Sequence, residues 1–300
     1  MKIGLLDIDG HNFPNLALMK ISSYHKACGD SVEWVNYFER YDKVYKSKVF
    51  TFSPDPQTCI QANEVVKGGT GYNVKSILPT EIDCVNPDYS IYPNFKEAYG
   101  FLTRGCIRKC KWCIVPEKEG YIKPYQDIES ILQGRKTAIL MDNNILASDF
   151  GLQQLEKIAY LKCKVDFNQG LDARLVTDEV AKLLSRISWI RYIRFACDEK
   201  SAIEPLIKAT EKLNKYGIKN YKVFVYCLVD NDLKDAESRV LAIDYIGAVP
   251  FAQPFRDFSS NYKIPEIQRH FARWVNHRAT FKSCVFSEYK HSKNLIQFET

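Results

Sequence analysis

Cys106, Cys110 and Cys113 stand at a C-x3-C-x2-C spacing within Gly100-Phe101-Leu102-Thr103-Arg104-Gly105-Cys106-Ile107-Arg108-Lys109-Cys110-Lys111-Trp112-Cys113. Three neighbouring thiols cannot all ionise without strong repulsion, and a coordinated metal removes that problem because a metal-bound thiol is deprotonated outright. Arg104, Arg108, Lys109 and Lys111 offset the negative charge that remains. Two chemistries compete for the motif. Tetrahedral zinc wants four ligands, yet no Cys or His lies between 85 and 105 or between 114 and 162. A 4Fe–4S cluster takes one thiolate per iron, so three cysteines leave one iron open to another ligand. The other cysteines, Cys28, Cys59, Cys84, Cys163, Cys197, Cys227 and Cys284, are scattered singly and read as small buried hydrophobes.

The elements that must carry this loop alternate between strand and helix. Strands are expected at Ala98–Thr103, Thr137–Met141, Lys164–Asn168, Tyr192–Cys197, Lys222–Val229 and Ala248–Pro254, with starts 26–39 residues apart, the length of a parallel βα unit. Ser148 and Thr177 are placed to cap two intervening helices, Ser201 and Glu204 form a capping-box pattern before a third, and Gly217 and Gly247 end two of them. Six such units fit between 98 and 260 and eight do not, which predicts an open partial (β/α)6 barrel with ligands at the carboxyl ends of its strands. The cysteine loop follows the first of these strands.

Ahead of the barrel, residues 1–95 predict a small Rossmann-like α/β domain and linker. Lys2–Ile8 reads as a strand, Leu16–Ala27 as a helix stopped by Gly29, and Ser31–Asn36, Lys48–Phe52 and Glu64–Val66 as further strands, the last entering Gly68-Gly69-Thr70-Gly71. Residues 73–95, with Pro79, Pro87 and Pro93, read as an irregular linker. The barrel is expected over 96–260 and a helical extension over 261–300. In that extension Ile267, Phe271, Trp274 and Val275 share one face of a helix running from Pro265 to Arg278, while Arg269, His270, Arg273, His277 and Arg278 lie mostly on the other.

The 300 residues are 46% hydrophobic and 13% aromatic, which excludes a disordered or collagen-like chain. No run approaches the ~18 apolar residues of a membrane span. The acid-bearing N-terminus is expected to be a strand and not a signal peptide, so a reducing, cytoplasmic setting without a disulfide framework is expected. Much of the net charge of +6 sits at the C-terminus, where residues 261–300 carry seven Lys/Arg against three Asp/Glu. Basic segments of this kind suit an anionic partner such as a nucleic acid or nucleotide.

The cysteine spacing, with the aromatic Trp112 just before the last cysteine, resembles the signature of the radical S-adenosylmethionine (radical SAM) superfamily. The resemblance implies that Cys106, Cys110 and Cys113 hold a 4Fe–4S cluster and that the open iron chelates the amino and carboxylate groups of SAM. It implies an electron from a reductant such as flavodoxin or ferredoxin, reductive cleavage of SAM, and a 5′-deoxyadenosyl radical that abstracts hydrogen from a substrate. The family takes SAM contacts from strand ends. After the second strand, Met141-Asp142-Asn143-Asn144 lacks the family's glycines, and Asp142 or Asn144 is the expected acceptor for the SAM amino group. After the third, Arg174 of Gly170-Leu171-Asp172-Ala173-Arg174 is expected at the SAM carboxylate; after the fourth, Asp198 at the ribose hydroxyls. Gln253-Pro254-Phe255-Arg256 is expected at the rim of the substrate cavity.

The N-terminal unit resembles a shortened form of the cobalamin-binding domain of one radical SAM branch. Asp9-Gly10-His11-Asn12-Phe13-Pro14 nearly matches the D-x-H-x-x-G loop that places a histidine on cobalt, but Pro14 replaces the glycine. That departure and the short length speak against bound cobalamin. The alternative to an enzyme is a non-catalytic iron–sulfur or zinc module that binds nucleic acid.

Overall fold

The computed structural model describes residues 1–10, 13–257 and 263–289. In the first strand, β1 (Lys2–Asp7), Ile3 and Leu5 are fully buried. Asn15 caps the helix that follows, α1 (Leu16–Ala27), its Oδ1 accepting from the Leu18 amide at 3.2 Å. Beyond it come β2 (Ser31–Trp34), β3 (Arg40–Ser47) and β4 (Gln61–Gly68), forming a wholly parallel sheet in the order β2-β1-β3-β4. Only the β1–β2 crossover is helical. Residues 35–39 and 48–60 make the other two without a helix, so this parallel α/β unit is barer than the expected Rossmann-like pattern. The 35–39 crossing lies so close that a Cβ on Gly4 would meet Val35 at 2.9 Å; a glycine is what the approach requires.

The strand expected at Lys48–Phe52 is not formed. Asp9 accepts from the Val49 amide at 2.5 Å, the Phe50 amide at 3.3 Å and the Ser53 hydroxyl at 2.6 Å, so a side chain takes the donors a neighbouring strand would need. The strand lies earlier, over Arg40–Ser47, where Tyr41 and Val44 turn inward. The expected linker also has structure. It carries a helical turn, α2 (Thr80–Asp83), and packs on α1: Asp88 accepts from Ser22 Oγ and Lys26 Nζ, each at 2.7 Å. Lys20, 1% exposed, donates to Asp83 Oδ1 at 2.9 Å and to the Tyr125 hydroxyl at 2.7 Å, tying this unit to the next.

Six parallel strands then follow in the expected order. The first is β5 (Ala98–Gly100), shorter than expected, after which β6 (Thr103–Arg104) pairs antiparallel with β7 (Lys123–Pro124) on either side of α3 (Val115–Lys118). After α4 (Ile128–Leu132) come β8 (Thr137–Leu140), α5 (Asp149–Leu161), β9 (Lys164–Phe167), α6 (Asp178–Arg186) and a short edge strand, β10 (Ser188–Trp189). The series ends with β11 (Ile193–Ala196), α7 (Ile203–Lys215), β12 (Val223–Val229), α8 (Leu233–Tyr245) and β13 (Val249–Pro254). One sheet runs β10-β9-β8-β5 and the other β11-β12-β13, and a parallel bridge between Leu171 and Phe195 joins them.

Ser148 and Thr177 cap α5 and α6 as expected, accepting from Gly151 and Val180. The Ser201–Glu204 capping box does not form: residues 200–202 make a 3-10 turn, the cap position falls on Ala202, and Glu204 pairs with Lys208. Val223, Val225, Cys227 and Val229 are buried on one face of β12, while Phe224 and Tyr226 are half-buried on the other. On that second face Arg194 makes a bidentate pair with Asp166 at 2.6 and 2.7 Å and donates to the Tyr226 hydroxyl at 3.1 Å.

The extension holds α9 (Glu266–Asn276) and α10 (Arg278–Ser283). Phe271, Trp274 and Val275 are buried and Ile267 packs against the same core. Asn276 covers the edge of β13, exchanging hydrogen bonds with both backbone groups of Ala252 at 2.8 and 2.9 Å. Arg269, Arg273, His277 and Arg278 are exposed, and His270 pairs with Glu266. Of the scattered cysteines, Cys163, Cys197 and Cys227 are buried as expected, but Cys28, Cys59 and Cys84 are exposed, two of them closing α1 and α2 at their C-caps. His11 lies outside the described residues.

Candidate metal-binding loop and active site

The β6–β7 ladder closes the base of the cysteine loop. Gly105 begins the loop at φ +87°, where a Cβ would lie 2.4 Å from the Tyr121 carbonyl oxygen, so no other residue fits without displacing the far strand. Glu119 buckles the loop. Its carboxylate accepts from the Arg104 guanidinium at 2.6 Å, the Gly105 amide at 2.8 Å and the Asn143 side chain at 2.9 Å. Nothing in its immediate sequence sets it apart except that it is an acid closing a basic run.

Asp142 is 1% exposed and faces the base of the loop. It accepts from the Leu102 amide at 3.1 Å, the Thr103 amide at 2.5 Å and the Thr103 hydroxyl at 2.7 Å. These bonds end β5 early and turn the chain into the loop. Burial pushes the Asp142 carboxyl up to about 6, against the opposing pull of the Thr103 and Leu102 donors.

Asn144 is 2% exposed and reaches the loop itself. Its Nδ2 lies 3.5 Å from Cys106 Sγ and 3.4 Å from Asp172 Oδ2, and Cys106 Sγ also accepts from the Arg108 amide at 3.3 Å. The Asn144 Oδ1 is buried without a hydrogen-bond partner. Asp172 gathers two arginines, accepting from Arg108 Nε at 2.9 Å and from Arg174 Nε at 2.7 Å. Burial alone would raise the Asp172 carboxyl, but the two guanidiniums hold it below the usual carboxylate range. The link from Asp172 to Arg108 joins residues 64 apart and leaves no local signal in the sequence.

Burial raises the Cys110 thiol, and the Cys113 and Cys106 thiols and Asp198 add to the shift while Arg174 opposes it. Cys113 has an open surface, yet surrounding protein still raises its thiol by desolvation, and Cys106 and Asp198 add to the effect. The three thiols, Arg174 and Asp198 therefore lie within electrostatic reach of one another. Burial likewise raises Asp198, whose Oδ1 accepts from the Leu228 amide at 2.8 Å. Trp112 stands between the second and third cysteines, with Lys111 Nζ 5.7 Å from its ring centre. The structure thus gathers Cys106, Asn144, Asp172, Arg108 and Arg174, keeps Asp198 close, and turns Asp142 away into the base of the loop.

Two contacts join the N-terminal unit to this end of the barrel strands. Lys118, in α3 just beyond the cysteines, donates to the carbonyl oxygens of Val74 and Ser76 at 3.2 and 3.4 Å. Arg256, expected at the cavity rim, lies 3.5 Å from the Phe52 ring centre. A cavity of about 340 Å³ lies elsewhere, at the ends of β1 and β2, and is lined by Asp7, Phe13, Trp34, Tyr92 and Phe95 among others.

Two solved structures of the cobalamin-dependent S-adenosylmethionine radical enzyme OxsB resemble the chain. One, with aqua-cobalamin and S-adenosylmethionine bound, superposes with a TM-score of 0.56 at 12% identity, covering 93% of this chain and 56% of that one. The other, with aqua-cobalamin bound, gives 0.55 at 12% identity over 80% and 51%. The chain shares the fold of OxsB over the matched span. The chain spans about half the length of OxsB. Because both OxsB structures hold cobalamin, the expectation against that cofactor finds no support in them. No family model and no curated protein matches the sequence.

The surroundings of the cysteines suit thiolates that carry negative charge. Among the described residues no three Cys, His, Asp or Glu side chains are grouped closely enough to hold one metal ion. The N–H groups on Cys106 and the Arg174 guanidinium within electrostatic reach of Cys110 suit thiolates carrying negative charge. Also among the described residues, no helix is long and apolar enough to cross a membrane.

Proposed function

We propose that the protein is a radical SAM enzyme in which Cys106, Cys110 and Cys113 hold a 4Fe–4S cluster at the mouth of an open partial (β/α)6 barrel. The observation that supports this reading is that Asn144 and the Arg108 amide donate to the Cys106 sulfur while Asp172, behind them, holds Asn144, Arg108 and Arg174. A loaded cluster supplies one electron to bound SAM, and thereby a 5′-deoxyadenosyl radical that can take hydrogen from an unactivated C–H bond.

The chain's own residues hold and orient the reactants. Asn144 donates to the Cys106 sulfur and keeps a buried acceptor, Oδ1, for an ammonium such as that of SAM. Arg174, anchored on Asp172, is the guanidinium for the SAM carboxylate. Asp198 has one oxygen on the Leu228 amide and the other for ribose hydroxyls. Asp142 is reassigned from ligand binding to shaping the base of the loop. The substrate is anionic, a nucleotide or nucleic acid; the reductant is a flavodoxin or ferredoxin; and a cytoplasmic setting supplies both.

Anaerobic reconstitution tests the reading. About four irons per chain and 5′-deoxyadenosine formed from SAM under reductant are expected. One zinc per chain, with no SAM cleavage, would replace the enzyme with a nucleic-acid-binding module.

A further inference from the structure

A second polar site stands across from the cysteine loop, at the carboxyl ends of β3 and β4. Lys46, Lys48 and Lys67 crowd the ring of Tyr72, their ammonium nitrogens 6.0, 4.8 and 5.7 Å from its centre. Lys46 and Lys48 are 9% and 7% exposed, and one carboxylate serves both: Asp55 lies 2.8 Å from Lys46 Nζ and 3.2 Å from Lys48 Nζ, and also accepts from the Tyr72 hydroxyl. Asp9 is close by, but its oxygens are taken by the Val49 and Phe50 amides and the Ser53 hydroxyl. Among the described residues, Lys67 has no carboxylate within salt-bridge distance.

The backbone is built to hold this arrangement. Gly69 has φ +95°, and a Cβ there would lie 2.3 Å from the Lys48 carbonyl oxygen; on Gly71 it would lie 2.6 Å from Lys48 Cγ. The glycines let the loop press down on Lys48 and so set Tyr72 against the amines. The same loop meets α3 through Lys118, and Phe52 of the neighbouring loop carries Arg256. The cluster thus lies where the two units meet. Lys67 and Asp55 are exposed, which leaves it open to a ligand.

Three ammoniums against two carboxylates, one of them already saturated with hydrogen bonds, leave positive charge uncompensated in a partly dehydrated place. Such an excess is costly unless an anion joins it. We infer that Lys46, Lys48 and Lys67 bind the phosphate group of a phosphate monoester. A phosphate monoester brings more charge and one more strong acceptor oxygen than the single carboxylate of Asp55 that the lysines now share. That this monoester belongs to the substrate rests on the function proposed above; the binding site does not.

Calorimetric titration of the full chain with inorganic phosphate, adenosine 5′-monophosphate and adenosine tests it. Phosphate and the monophosphate should bind and adenosine should not, and a monophosphate tighter than phosphate identifies the ester as the source. Lys48→Gln and the exposed Lys67→Gln should each weaken binding about tenfold. Asp55→Asn, which removes the internal competitor, should tighten it, and Lys157→Gln, far away beside Asp127, should leave it unchanged. Absence of phosphate binding, adenosine binding as well as its monophosphate, or affinity unaltered in Lys67→Gln overturns the site. Phosphate binding needs no cluster, so failed SAM cleavage with intact phosphate binding would remove the proposed function and leave this site standing.

Discussion

The Asn144 side-chain nitrogen lies 3.5 Å from the Cys106 sulfur, with 38 residues of chain between them. An amide in that place favours a charged sulfur, and its own oxygen is left buried with nothing to accept from. Asn144→Asp puts a carboxylate against both Cys106 and Asp172. A buried, uncompensated charge costs roughly 3 kcal/mol. The variant should therefore be less stable in urea by about that amount and should retain less than about half the iron after reconstitution. Full iron retention would dissociate Asn144 from the cluster.

The pH dependence of stability should report Asp142. Its folded-state value of about 6 lies above the ordinary 3.8, so the folded chain binds this proton more tightly than the unfolded one. Stability from this group is fully present below about pH 4 and is lost as pH rises through 6, a change of about 3 kcal/mol. Asp142→Asn lacks that titration. The stability difference between wild type and variant should thus move against the wild type by up to that amount between pH 4 and 7 in denaturant melts. A constant difference across the window would show that the carboxyl stays ionised.

Much of the strand and helix order is legible in the sequence, and the exceptions share a cause. The six barrel strands and the caps at Ser148 and Thr177 follow from local pattern, so they appear where expected. Arg40–Ser47 escaped because its alternation is written in Tyr and Lys, whose stems and rings bury while their tips stay polar. Lys48–Phe52 misled because the side chain of Asp9, some 40 residues earlier, captures its amides. In the site, Arg174 and Asp198 lie at strand ends and could be read there. Asp172 and Glu119 act by bridging distant segments, which a linear pattern does not display.

Gly105→Ala should damage the loop without unfolding the protein. The residue sits at φ +87°, and an added methyl would lie 2.4 Å from the Tyr121 carbonyl oxygen. Left-handed strain and the clash together cost about 1–3 kcal/mol. Because the β6–β7 ladder is short and peripheral to the core, the loss should appear as weakened iron uptake with an unchanged far-ultraviolet circular dichroism spectrum. Iron uptake equal to wild type would show that the loop base relaxes freely.

Lys20 tests the joint between the two units. It is 1% exposed and holds Asp83 and Tyr125 together. Lys20→Met keeps the stem and removes the ammonium, leaving Asp83 and the Tyr125 hydroxyl with only each other. A loss of about 2 kcal/mol is expected, together with faster proteolysis of the 73–95 segment. Unchanged proteolysis would mean that Asp88, held by Ser22 and Lys26, is enough to dock it.

Arg108 and Arg174 share the Asp172 carboxylate, at 2.9 and 2.7 Å, yet serve different ends. Arg108 belongs to the cysteine loop, so Arg108→Gln should loosen the loop and lower iron content. Arg174 follows β9 and lies close enough to Cys110 to oppose the rise that burial imposes on its thiol. In the proposed enzyme Arg174→Gln should leave iron content near wild type and raise the KM for SAM about tenfold, the worth of one charge-assisted hydrogen bond. Asp172→Asn removes the anchor of both arginines and should produce both defects. If instead Arg174→Gln strips iron as severely as Arg108→Gln, with no separate effect on KM, then Arg174 only braces Asp172 and the guanidinium for the SAM carboxylate must be sought elsewhere.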